Sequence, residues 1–195
     1  MKTIVSTLAT ILLVSCSQLG LQRENDDSKE TANLAIATST LALAQSASVQ
    51  FPAAFVYKNT VTALANGSTD FIFFNTVSYD TGSFFSASAS DRVTVPSDGV
   101  YFIQGWLAFA PNATGSRKII LYLNTDATGS TGSIISLIVS PASSAGEESV
   151  LATDTILRLV KGDYVKLRAY QSSGGSLNLT VSGYSQVLYI RKLTN

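Results

Sequence analysis

The sequence predicts an all-β sandwich of eight to ten strands, and three observations predict it. From about Phe51 onward apolar residues alternate with a period of two, turn signals cut them into short runs, and no helical pattern intervenes. Strands are expected at Ala54 to Tyr57, Asp70 to Phe74, Arg92 to Val95, Val100 to Ala110, Lys118 to Leu123, Ile134 to Val139, Val150 to Leu159, Tyr164 to Gln171, Leu177 to Val181 and Gln186 to Lys192. Turns are expected at Asn66-Gly67, Pro96-Ser97-Asp98-Gly99, Thr114-Gly115, Lys161-Gly162-Asp163 and Gly174-Gly175. There Gly supplies a positive φ, and Pro or Asp presets the bend.

Two strands differ in a way that bears on assembly. Tyr164 to Tyr170 sets Val165, Leu167 and Ala169 against Lys166 and Arg168, the pattern of one dry face and one wet face. Val100 to Ala110 sets Tyr101, Ile103, Leu107 and Phe109 on one side and Val100, Phe102 and Trp106 on the other, so both of its faces are apolar. A solitary sandwich offers one dry environment. The second face therefore predicts a cover, most simply a second subunit, with Phe102 and Trp106 as the candidate interface residues.

Upstream, Lys2 and the apolar run Ile4 to Val14 have the make-up of a signal-peptide h-region, too short to span a bilayer. Leu13-Val14-Ser15-Cys16 resembles a bacterial lipobox, which makes residues 1–15 a signal peptide and Cys16 the lipidated N-terminus. More than one acyl chain gives stable anchoring. Ser17, in the place where an Asp would retain the protein at an inner membrane, favours the outer membrane or cell surface. Residues 16–50 read as the lipidated N-terminus and a tether: Gln18 to Glu30 is charge-rich without apolar periodicity, and Leu34, Ala37, Leu41, Ala44, Ser48 and Phe51 fall at heptad spacing that allows part of it to be helical. Residues 51–195 form the β domain.

The composition excludes several chemistries. There is no His and a single Cys, so Ser-His-Asp and Cys-His catalysis and His- or Cys-ligated zinc are all absent. Glycosidase-type carboxylate pairs and a Ser-Lys dyad remain open to this composition, but no enzyme activity, cofactor or metal site is expected. Asp126 and Asp154 read as turn residues, and Glu147 with Glu148 as a solvated loop tip. The 13 basic and 13 acidic residues balance, and the basic ones are scattered, which argues against nucleic-acid binding.

The run Arg92-Val93-Thr94-Val95-Pro96-Ser97-Asp98-Gly99-Val100-Tyr101-Phe102 resembles the signature of the complement one-q and tumour-necrosis-factor-like jelly-roll superfamily. Phe73, Asn75, Tyr79, Asp80 and Gly82 resemble the family's approach to that strand, and Leu159 to Leu167 resembles its Gly-Asp hairpin. Asn112 to Arg117 and Tyr170 to Leu177 are similar to a branch found in phage and bacterial genomes. The resemblance covers Phe51 to Leu193 and implies a jelly roll of about ten antiparallel strands that associates as a homotrimer and binds macromolecules through its outer loops. The expected function is a surface-displayed, lipid-anchored recognition or adhesion module whose partners are its own copies, an unidentified protein or glycan, and the membrane through the anchor alone. A phage-derived tail or decoration trimer and a carbohydrate-binding jelly roll are the alternatives.

Overall fold

A computed structural model describes residues 51–143, 147–181, 183 and 185–195. The expected signal peptide, the lipidated Cys16 and the tether lie outside the described residues. Those that are described belong to one compact unit, Phe51–Asn195.

Twelve strands are found among them: β1 Ala53–Tyr57, β2 Thr62–Leu64, β3 Thr69–Phe71, β4 Thr76–Asp80, β5 Val93–Thr94, β6 Gly99–Phe109, β7 Ser116–Leu123, β8 Ser133–Pro141, β9 Ser149–Leu159, β10 Tyr164–Gln171, β11 Leu177–Leu179 and β12 Val187–Thr194. One 3-10 turn, Ala87–Ala89, is the single helical element among the described residues. The first sheet runs β2-β11-β6-β12-β1-β4, with β9 along the other side of β6. The second runs β3-β10-β7-β8, with β5 also on β10. Every pairing is antiparallel. All ten expected strands are present; two more, β2 and β4, carry no alternation that a sequence would reveal. The expected strand to Phe74 stops at Phe71, because Ile72 N still donates to Leu167 O but Phe74 N turns to Ser90 O at 2.7 Å.

The core lies between the sheets. From β6 it takes Tyr101, Ile103, Leu107 and Phe109, and from the opposite sheet Ile119, Leu121, Val165, Leu167 and Ala169, all at 0% exposure. Gly105 falls in the middle of that inward row, where a Cβ would stand 2.8 Å from Leu167 Cδ1; its hydrogen leaves the room that Leu167 fills.

The segments that carried the resemblance meet in pairs. At one end Asp98 Oδ1 accepts from Lys161 N at 2.8 Å, Val95 N donates to Asp163 O at 2.7 Å, and Gly162 N donates to Val95 O at 2.9 Å. Tyr101 closes this corner by donating its hydroxyl to Ser97 O at 2.7 Å, and Gly99 is required because any Cβ would overlap Lys192 and the Thr194 carbonyl. At the other end Ser116 N donates to Ser172 Oγ at 2.9 Å and Ser172 N to Ser116 O at 3.0 Å. The buried Arg117 guanidinium satisfies the carbonyls of Asn112, Thr114 and Ser116 there. Burial pulls its pKa downward.

One side-chain expectation is corrected. Lys166 does not stand on a wet face: it is 1% exposed, its Nζ 2.7 Å from Asp91 Oδ2 and 3.3 Å from the Asp126 carbonyl. The loop after β7 folds back over it, which a strand pattern cannot report.

Candidate functional site

The outward side of the first sheet gathers aromatic rings from strands distant in sequence. Pairing sets Phe55 of β1 beside Tyr189 of β12 and Tyr79 of β4, and Trp106 of β6 beside Val187 of β12. Their parity follows from the core: Ala54, Val56, Leu188 and Ile190 point in, so Phe55, Tyr57 and Tyr189 point out. Ring centroids lie 6.5 Å apart for Phe55 and Trp106, 6.1 Å for Phe55 and Tyr79, and 6.0 Å for Phe102 and Tyr189. Phe102 and Trp106 are both on this face and both half-buried. They are joined by Tyr79, which the sequence reading named only for the resemblance, and by Phe55, Tyr57 and Tyr189, which it did not single out; the signal was available in Phe55 and Tyr57 alternating with the apolar Ala54 and Val56. Burial, together with the neighbouring Tyr189, pushes the Tyr79 phenol upward, and burial lowers Lys58 at the margin of the face.

A second apolar surface lies at the opposite border. Strand β8 bonds only to β7, and Ile134, Leu137, Ile138 and Val139 are exposed on both of its sides. Beside it β9, the last strand of the first sheet, belongs to the aromatic face instead: Ile156 lies directly opposite Phe102 and Val150 opposite Ala108, and both are exposed on that sheet's outward side. The two free strands are tied by Ser136 Oγ, 2.6 Å from Thr153 Oγ1. The aromatic face and this aliphatic edge are unlike in shape and chemistry.

The acidic residues are dispersed. Asp126 Oδ1 takes hydrogen bonds from the Thr128 hydroxyl and from the amides of Thr128, Gly129 and Ser130, which hold its carboxyl at about 2 and make it a turn residue as expected. Asp154 is not in a turn: it lies on β9 opposite Gln104. Glu147 and Glu148 are exposed. Among the described residues no group of side chains is assembled that could hold a metal ion.

Two antiparallel sheets in this strand order make a jelly roll of the tumour-necrosis-factor and complement one-q type. No family model and no curated protein sequence matches the chain. Solved structures do: murine APRIL at 14% identity and TM-score 0.57, over 74% of this chain and 100% of that one. Eiger TNF from S. frugiperda matches at 14% and 0.54, over 75% of this chain and 94% of its own. The globular domain of zebrafish complement 1qA matches at 17% and 0.51, over 74% and 99%. These likenesses define the fold.

Proposed function

We propose that this chain is a non-enzymatic, lipid-anchored recognition module that assembles as a homotrimer and displays its loops at the outer membrane or cell surface. The observation that carries the reading is the pair of unlike apolar surfaces on one module. A face of rings and a free aliphatic edge are not self-complementary, so a two-fold contact would leave both poorly matched. Packing the edge of one copy on the aromatic face of the next is a head-to-tail contact, the kind that makes a ring when its rotation closes. Three members is the number the family resemblance implies. Fully burying a side chain of this size contributes roughly 1.5 to 3 kcal/mol, so several such groups in one contact supply a driving force of the same order as the cost of association.

In this reading residues 1–15 are a cleaved signal peptide, 16–50 a lipidated tether and 51–195 the assembling domain. Cys16 carries the lipid, and a virion component would have no use for it. The experiment is light scattering after size exclusion of the full chain in mild detergent at micromolar concentration. A trimer is expected, and a wild-type monomer overturns the assembly. Labelled palmitate separately tests the anchor: incorporation should vanish in Cys16→Ser, and a wild type that takes up no label removes the anchor from the proposal.

A further inference from the structure

The outward side of the second sheet is chemically unlike either apolar surface. Among the described residues there are seven cation-π contacts, and six of them, made by Arg92, Lys118, Lys166 and Arg168, are on this side. Arg92 lies 4.5 Å over the Tyr164 ring, and Lys166 sits 4.8 Å from Phe71. Arg168 lies 4.5 Å from Phe71 and 5.4 Å from Tyr122, and Lys118 4.4 Å over Tyr170. The nearby carboxylates are already committed. Asp91 takes Lys166 and Arg92, Asp126 is held by its own loop, and Asp70 accepts from Ser68 Oγ at 2.7 Å. Lys118 and Arg168 have no carboxylate partner among the described residues, and Arg168 spends one donor, Nη2, on the Thr69 carbonyl at 2.7 Å.

We infer that this face, through Lys118 and Arg168, binds an anionic polysaccharide, one bearing uronate or sulfate groups; the inference rests on the recognition reading above and gives it a ligand class. Lys118 pairs across from Tyr170 while Arg168 pairs with Ile120, so the two cations are diagonal neighbours. Such neighbours lie roughly 7 to 8 Å apart, a separation that addresses successive anionic groups of a chain better than one small ion. Stacking on Tyr170 and Phe71 holds both side chains in place before the ligand arrives, which reduces the ordering cost of binding. Phe71, Tyr122 and Tyr170 stay half-exposed beside them and offer ring surface to the apolar side of a sugar. An acidic peptide fits less well, because an extended peptide docks by adding to a free sheet edge. Strands β7 and β10 are bonded on both sides. The inward neighbours Ile119, Leu121 and Leu167 are buried core, so the site lies on the far side of the sandwich from Trp106. Three copies in one assembly would bind a long chain with avidity.

The test is retention of the detergent-solubilised full chain on immobilised sulfated dextran, polygalacturonate, uncharged dextran, poly-glutamate and oligothymidylate, with light scattering on the same samples. Wild type should bind one or both anionic polysaccharides in a salt-sensitive way and ignore the other three, the stronger of the two showing whether sulfate or carboxylate is preferred. Lys118→Gln, which removes no hydrogen bond seen in the structure, should weaken binding about tenfold. Arg168→Gln should do the same, and Lys161→Gln, on an exposed turn, should not. Equal binding to poly-glutamate, oligothymidylate or uncharged dextran, or an undiminished Lys118→Gln, overturns the inference. Because the light scattering reports assembly independently, a trimer that binds no polysaccharide sinks this site alone, and a monomer that binds it sinks the assembly alone.

Discussion

On the outside of the second sheet Phe71 has the Lys166 ammonium at 4.8 Å and the Arg168 guanidinium at 4.5 Å from its ring centroid. On the outside of the first sheet Phe55 lies among Tyr57, Tyr79 and Trp106, with ring centroids 6.1 to 6.5 Å away. Both faces carry large rings outward, yet they meet water differently. A cation over a ring covers apolar surface with its own stem and leaves a hydrated head outside, so the second face is compatible with solvent. Rings packed only on rings remain apolar at their rims. Among the described residues no cation-π contact is found on the first face, where the rings meet one another instead. What separates the two faces is thus less the number of aromatics than what is stacked on them.

The largest effect should come from making the unfinished face hostile. Trp106→Asp in the aromatic face and Ile138→Asp in the aliphatic edge should each abolish the trimer, since either leaves a charge without a partner in a dry contact. Mixing the two variants discriminates further. In a head-to-tail ring the sound edge of the Trp106→Asp chain still fits the sound face of the Ile138→Asp chain, so an equimolar mixture should recover a heterodimer by light scattering. A two-fold contact would pair each lesion with its mirror and recover nothing.

A smaller effect, on stability alone, should come from the finished face. Asp91→Ala leaves the Lys166 ammonium buried without a carboxylate, a change that costs roughly 3 to 5 kcal/mol. Lys166→Met should cost much less: the thioether fills the same space against Phe71, and Asp91 keeps Arg92 at 2.9 Å. Denaturant titration of both variants decides it. If the two lose the same stability, the ion pair is ordinary packing and the comparison between the faces is weaker than drawn.

How far the sequence revealed all this depends on the length of the elements. Strands β6, β9 and β10 run for 8 to 11 residues, long enough for alternation to announce both their existence and their buried sides. Strand β2 has 3 residues, and β4 is exposed on both sides, so neither carries a period to detect. The aromatic face was half legible: Phe102 and Trp106 stand out within one strand, while Phe55, Tyr79 and Tyr189 join them only through pairing that links distant segments. Lys166 was misplaced for the same kind of reason. Alternation identifies the side of a sheet, but Asp91 and the loop at Asp126 decide whether that side is wet.

The smallest predicted effect is a pH dependence that isolates Asp91. Burial alone would raise its pKa, but hydrogen bonds from Lys166 and Arg92 outweigh that and hold the carboxyl below its ordinary value. A carboxylate depressed in the folded state contributes stability that is present above its unfolded pKa, about 3.9, and that drains away as pH falls through the folded value. Asp126 is depressed in the same direction by its own loop, so acid destabilisation of the wild type mixes the two groups. The gap between wild type and Asp91→Asn removes Asp126 from the comparison, because both chains retain it. That gap, read from urea midpoints, should be widest and flat between pH 5 and 7 and should narrow as pH falls below about 4. A gap that stays constant down to pH 2.5 would mean that Asp91 acts through shape rather than charge, and Lys166 would then be held by its stacking on Phe71 instead of by the pair.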